Sequence, residues 1–152
     1  MEESIIYFYG KPTQRVKQED VYLGNFYHSP ILINGVTYST VEHFYQSQKF
    51  DDPEIQERIR NAQTPKIASR LAHELTNDSR EWSHLKESVM RTGIFAKFTQ
   101  HQDLKEKLLA TGTAKLVEDS HKDLYWGGSL EGSQNRMGIL LMDLRNQLKN
   151  MP

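Results

Sequence analysis

Residues 31–50, ILINGVTYSTVEHFYQSQKF, change period halfway along, and that change decides the fold class. Ile31–Ile33 and Val36–Tyr38 are β-prone runs on either side of Asn34-Gly35, the dipeptide best suited to a two-residue hairpin. From Ser39 the pattern shifts from a repeat of two to a repeat near four. Ser39 and Glu42 have the S-x-x-E spacing of a capping box, which predicts a helix running to about Phe50. A hairpin feeding directly into a helix points to an α+β fold.

Working outward, helical signals dominate. Asp52-Pro53 and Thr64-Pro65 each set a good N-cap before a proline at the first helical position, predicting two helices. A longer helix is expected over Trp82–Phe98, with Leu85, Val89, Ile94 and Phe98 on or near one face. Leu104–Leu109 reads as a short helix and Lys115–Glu118 as a strand. Asp119 to Gln134 is a glycine-spotted loop. The last helix, Asn135–Lys149, carries Met137, Leu140, Leu141, Leu144 and Leu148 at core spacing. Upstream, Ile5–Tyr9 is a strand followed by a polar arm, Gly10 to Asp20. The expectation is one domain, residues 1–152, mostly helical with a small antiparallel sheet. No strand-helix alternation of the Rossmann kind is present.

Composition narrows the function. The 152 residues are 37% hydrophobic, enough for a real core. Nineteen Lys and Arg balance twenty Asp and Glu, for a net charge of −1, and the basic residues are scattered singly. That argues against gripping long nucleic acid through many phosphates, though not against a pocket for one nucleotide. There is no cysteine, so disulfide and thiolate chemistry are excluded. The start, MEESIIYFYGK, is unlike a secretory signal, and no apolar stretch reaches membrane-spanning length. A cytoplasmic enzyme or binding module, without a membrane role, is expected.

Within TVEHFYQSQKF, residues 40–50, the side chains of Glu42, Gln46 and Lys49 fall in one narrow sector over two turns. They read as a row of substrate contacts, or else as a capping Glu42 beside two solvated residues. His43 lies on another face, beside Phe50, and reads as a buried structural histidine. The six histidines show no convincing ligand spacing, so no metal is expected, and no phosphate-loop or dinucleotide fingerprint occurs. In the loop HKDLYWGG, residues 121–128, Trp126 beside two glycines could stack on a flat base or cover the core. Trp82 reads as a core anchor. Glu42 and Asp123 are a pair of carboxylates of the kind glycoside cleavage uses, though twenty acids offer many pairs.

The ordered set of these segments resembles the NADAR (YbiA-like) family. Leu23-Gly24-Asn25-Phe26-Tyr27 is similar to its L-S-N-F-Y element, with Gly24 in place of serine. Residues 38–50 match its Y-x-T-x-E-H-x-x-Q-x-x-K-F helix. Trp82, Met90, Ala96-Lys97-Phe98, Leu116-Val117-Glu118, Asp123-Leu124-Tyr125-Trp126-Gly127 and Asn135-Arg136-Met137-Gly138 follow in family order, then Leu141-Met142 and Arg145. The similarity runs from about Tyr7 to Leu148.

The resemblance implies a YbiA-like fold and an N-glycosidase with no metal or redox cofactor. Some members of the family cleave ribosylamino-pyrimidine phosphates of early riboflavin biosynthesis; others remove ADP-ribose from guanine, as antitoxins or repair enzymes. Both cut between ribose C1 and an exocyclic amine. ADP-ribosylated guanine, free or within DNA or RNA, is the expected substrate, because the chain stands without a fused deaminase or reductase domain. The pyrimidine phosphates and a non-catalytic ADP-ribose or NAD-binding module are the alternatives, and a toxin partner stays open. By resemblance Glu42, Trp82, Asp123 and Trp126 line the pocket. Glu42 is expected beneath the sugar, and Asp123 at the leaving group or a sugar hydroxyl. Trp126, and Trp82 with it, would stack on the base; Gln46 and Gly127 are further contacts. Asn25 is expected at a ribose hydroxyl, and Arg136 with the Asn135 end of the last helix at a phosphate. Lys49, about 10.5 Å along the axis from Glu42 by helical rise, is the candidate amine for a Schiff base, with Lys97 as the second.

Overall fold

Asn34 and Gly35 both adopt positive φ, 52° and 79°, and so close the tight hairpin that the Asn-Gly pair predicts. The computed structural model describes residues 4–75 and 80–151, so the acidic start of the chain, residues 1–3, lies outside the described residues. In chain order the elements are β1 (Ile5–Phe8), a 3-10 helix (Gln18–Leu23), β2 (Ile31–Ile33) and β3 (Val36–Tyr38). There follow α1 (Val41–Ser47), α2 (Pro53–Arg60), α3 (Pro65–Leu75), α4 (Arg80–Gln100), α5 (Gln102–Ala110), β4 (Lys115–Glu118) and α6 (Arg136–Lys149). The fold is α+β and mostly helical, as expected.

The sheet differs from the expectation in one respect. β2 and β3 form the antiparallel hairpin, but β1 pairs with β4 in parallel, in the register Ile5↔Lys115 to Phe8↔Glu118. Parallel strands need a long crossover, and here most of the chain supplies it. Nothing in the local pattern of either strand announces so distant a partner.

Contacts gather the chain into two compact units, one of Met1–Tyr27 with His101–Pro152 and one of His28–Gln100. In the first, α6 packs on β4 and α5 packs on α6. Phe8, Leu104, Leu108, Leu116, Met137, Leu140, Leu141 and Leu144 are buried there, and the spacing of the α6 residues is what produced the predicted core stripe. In the second, α1 is surrounded by α2, α3 and α4. Gly93 lets α4 approach α1 closely, because a Cβ there would stand 3.0 Å from Val41 and 3.2 Å from Phe44. Asp52 and Thr64 cap α2 and α3 as their positions before proline predict. Gln100 closes the outer edge of β2, its side chain bonding both the Leu32 amide and the Leu32 carbonyl at 2.8 Å.

Two further expectations are corrected. Leu85 does not join the core face of α4; it is 51% exposed, on the first turns of the helix. The cap of α1 is Thr40 rather than Ser39, and the helix ends at Ser47.

Candidate active site

Thr40 has extended backbone (φ −144°, ψ 164°), and its Oγ1 accepts from the His43 amide at 3.1 Å. The His43 ring completes the cap, with Nδ1 at 2.8 Å from Thr40 Oγ1 and Nε2 at 3.0 Å from the Ala62 carbonyl. A carbonyl can only accept, so Nε2 carries the proton and Nδ1 accepts from the Thr40 hydroxyl. Burial holds His43 below its ordinary value; the Ala62 bond opposes this and His28 adds to it. His43 is therefore a neutral, structural histidine. With Thr40 and His43 making the cap, the capping box through Ser39 does not form, and Glu42 is not needed to start the helix.

Glu42 is nonetheless 8% exposed, a carboxyl group taken out of water. Its Oε1 accepts from Gln46 Nε2 at 2.7 Å, one turn along α1. Gln46 Nε2 also approaches Ser69 Oγ of α3 at 3.5 Å. Gln46 is buried, and its Oε1 has no hydrogen-bond partner among the described residues. An unmet buried acceptor costs about 1–3 kcal/mol, so Gln46 is poised for a donor such as a sugar hydroxyl.

Two lysines of this unit differ in kind. Lys49 Nζ lies 5.6 Å from the centre of the Tyr45 ring and 5.9 Å from that of Trp82, and those two rings lie 5.1 Å apart. Ring faces attract an ammonium, so this pair of rings is a favourable seat for the Lys49 charge. Trp82 is half-buried and belongs to this aromatic pair. Lys97, one turn beyond Gly93 on α4, is 1% exposed, and burial pushes its amine down to about 7. The Phe98 ring, 5.1 Å from Nζ, favours the ammonium weakly and burial outweighs it. At neutral pH Lys97 exists in large part as a free-base amine, the reactive form. The Ala96-Lys97-Phe98 stretch marked the residue in the sequence; its burial was not legible there.

In the other unit, the loop before α6 organises the remaining candidates. Ser120 Oγ accepts from the Asp123 amide at 3.0 Å. Asp123 Oδ1 in turn accepts from the amides of Tyr125 at 3.0 Å and Trp126 at 2.9 Å. Asp123 is exposed, and its Oδ1 sets the turn that presents Trp126. Trp126 is half-buried, edge-on to Tyr125 at 4.9 Å and 87°. It is not a core tryptophan.

Three residues expected at the substrate also make bonds within the fold. The Gly127 amide donates to the Asp123 carbonyl at 3.2 Å, and its carbonyl accepts from the Asn135 amide at 2.8 Å. A Cβ on Gly127 would stand 2.6 Å from Ser120 Cβ, so glycine is there for close packing and the loop around it is tight rather than flexible. Asn135, at φ 50° and ψ 40°, bonds β4 in both directions, donating to the Leu116 carbonyl (2.9 Å) and accepting from the Glu118 amide (3.1 Å). The first amides of α6 are also engaged: Arg136 donates to the Tyr125 carbonyl at 3.0 Å and Met137 to that of Trp126 at 3.2 Å. This helix start offers an anion few free donors, which leaves the Arg136 side chain as the phosphate candidate. Asn25 Nδ2 donates to Met137 Sδ at 3.6 Å.

The sequence reading missed Asp119. It is 1% exposed and accepts from Arg15 at 2.6 Å, Ser129 Oγ at 2.6 Å and Thr13 Oγ1 at 3.2 Å. It thereby ties the 10–17 arm to the loop that carries Trp126. Burial alone would raise this carboxyl, but Ser129, Arg15 and Thr13 outweigh it and hold Asp119 below the usual carboxylate range. A depressed folded value contributes stability above the unfolded value and loses it as pH falls through the folded one. Asp119→Asn is therefore expected to cost about 1–2 kcal/mol at neutral pH, discounted for the exposed side of Arg15. In thermal melts the gap from the parent should shrink below about pH 4; a gap of constant size from neutral pH to pH 3 would remove the charge from the latch.

Among the described residues no group of three or more His, Asp or Glu could hold a metal ion, and no helix is long and apolar enough to cross a membrane. The model of the NADAR domain family matches residues 7–149. N-glycosidase YbiA of Escherichia coli (strain K12) is 42% identical over 152 residues, which cover 97% of this chain and 91% of that protein. The NMR structure of the E. coli protein YbiA superposes with a TM-score of 0.82 at 41% identity, covering 98% of this chain and 87% of that one. Riboflavin biosynthesis protein VVA0006 of Vibrio vulnificus is 38% identical over 149 residues, 97% of this chain but 39% of that longer protein.

Proposed function

Since this chain belongs to the NADAR domain family, we propose that it is an N-glycosidase that hydrolyses the bond between ribose C1 and an exocyclic amine of a flat heterocycle. We take its two units as parts of one such domain. The observation that carries this reading is Glu42: a buried carboxyl, relieved of capping by Thr40 and His43 and fixed by Gln46. Cleaving a C1–N bond builds positive charge on the sugar, and a carboxylate fixed in a low-dielectric site stabilises that charge without reorganising. Gln46 Oε1 would accept from a ribose hydroxyl.

Lys97 is assigned the amine role expected of Lys49. The N-ribosyl ring opens to a C1=N iminium, Lys97 Nζ adds to C1, and the C1–N bond to the base breaks as its electron pair and a proton go to the base nitrogen. Water then hydrolyses the lysine imine, returning the free amine and the sugar aldehyde. Lys49, seated against Tyr45 and Trp82, suits an anionic part of the substrate, as does Arg136. Asp123 and Asn25 are positioning residues in this reading, Asp123 through the turn that presents Trp126.

The substrate we assign is ADP-ribosylated guanine. A second reading, a ribosylamino-pyrimidine phosphate, is favoured by the similarity to the riboflavin biosynthesis protein. Side-by-side turnover of the two decides between them: kcat/KM is expected to be higher for the guanine compound, and the reverse order would transfer the assignment to the pyrimidine. Trp126 is assigned to stack on the heterocycle, a contact worth about 1–3 kcal/mol. Trp126→Ala should weaken a base-containing ligand roughly tenfold or more while sparing free ADP-ribose. Its stability cost should fall short of the about 3–5 kcal/mol of a core tryptophan. Equal small effects on both ligands, measured by calorimetry, would remove the stacking role.

A further inference from the structure

The carboxyl-terminal ends of α5 and α6 enclose an open cleft of about 420 Å³ whose walls carry Lys105, Arg145 and Lys149 and no carboxylate. We propose that this cleft is a second ligand site, independent of the glycosidase reading, and that it binds a nucleoside diphosphate such as ADP through its phosphates.

The charge arrangement is the first reason. Arg145 and Lys149 are four residues apart on α6, a like-charged pair on one helix face, which destabilises a helix unless something compensates. Positions 141, 142 and 146 along that face are Leu, Met and Asn, so no local acid offsets them. Lys105 joins them from α5, where the neighbours at 101, 102, 108 and 109 are His, Gln, Leu and Leu. No ion pair to any of the three occurs among the described residues. The helix dipole explains Lys149 in the last turn of α6, but not Arg145 a turn earlier. Nor does it explain Lys105, since the last turn of α5 has Lys107.

Orientation is the second reason. Arg145 is half-buried; its Nη1 donates to Thr111 Oγ1 at 2.8 Å and Tyr22 lies close enough to act on its charge, so the guanidinium is held in place in the cleft wall. Thr113 adds a hydroxyl and Gly112 a backbone turn at the rim. Leu109, Leu148 and Met151 add apolar lining, and about 420 Å³ leaves room for more than a single inorganic ion. Three cations beside apolar lining match a diphosphate joined to a base.

The test is amide NMR of the full chain titrated with ADP, adenosine and inorganic phosphate. ADP should shift the Gly112 and Thr113 amides saturably, adenosine should not, and phosphate should do so more weakly. In Lys105→Gln/Lys149→Gln, two solvent-accessible changes that leave Arg145 in place, the affinity for ADP should fall about tenfold or more. Added salt should weaken it as well. No shift at these amides, shifts of equal affinity in the double variant, or equal affinity for phosphate and ADP would each overturn the proposal. So would shifts produced by a single-stranded oligonucleotide and not by ADP, which would make the cleft a nucleic-acid contact. None of these readouts uses turnover, so the outcome is separable from that of the glycosidase reading.

Discussion

Glu42→Gln should keep the fold and lose turnover by about 10²–10⁴-fold, the scale of a fixed charge acting on a developing one. The substitution preserves an oxygen to accept from Gln46 Nε2, so the 2.7 Å bond inside α1 can persist. It does not touch the N-cap, which belongs to Thr40 and the His43 ring. Glutamine matches glutamate in size and keeps that bond, so the melting temperature should change little. Loss of activity with undiminished stability is the signature of a residue held for function. Near-parental kcat/KM in a well-folded Glu42→Gln protein would take Glu42 out of the mechanism.

Lys97→Met should abolish most activity, by at least about 100-fold, because it removes the amine while a chain of similar length fills the same buried space. The parent enzyme should lose kcat/KM as pH falls through about 7, since protonation removes the nucleophile. The same titration affects stability: the unfolded chain carries the Lys97 proton up to its ordinary value, so stability should rise with pH between about 7 and that value. Borohydride added during turnover should leave a ribose-derived adduct on the peptide holding Lys97. The adduct should be absent from Lys97→Met and present in Lys49→Met. An adduct on Lys49, or none at all with substantial activity in Lys97→Met, would end the assignment and leave direct attack by water.

Local chemistry made the helices and the hairpin readable. Asn34-Gly35 fixes a turn, Asp52-Pro53 and Thr64-Pro65 fix helix starts, and the leucines of α6 fix a buried face, all within a few residues. The cap of α1 shows the limit of such reading. Ser39 and Thr40 are both good cap residues, and the Glu at position 42 favoured the first; the cap formed is Thr40, whose hydroxyl also meets a His43 ring tied to Ala62, 19 residues away. Long-range partners were invisible for the same reason. The parallel pairing of β1 with β4 and the Arg15–Asp119 contact, 104 residues apart, leave no periodic trace in the chain. Lys97 stood at a marked position, but whether it faced water or the interior was a matter of packing. Gly127 and Asn135 stood out because they lie in a marked loop; that their polar groups also tie that loop to itself and to β4 was not legible. A marked residue can be needed for the shape of a loop as much as for its chemistry.

The bond that is cut can be identified directly. ADP-ribosylated guanine carrying ¹⁵N in the exocyclic amine is incubated with the enzyme, and the released base and sugar are weighed by mass spectrometry. Cleavage between ribose C1 and nitrogen yields guanine that retains the ¹⁵N and gains a hydrogen on it, and a free ADP-ribose that carries the oxygen of water at C1. An oxygen in place of the labelled nitrogen on the base, or no release of either fragment from this compound and from the ribosylamino-pyrimidine phosphate alike, would contradict N-glycosidase action.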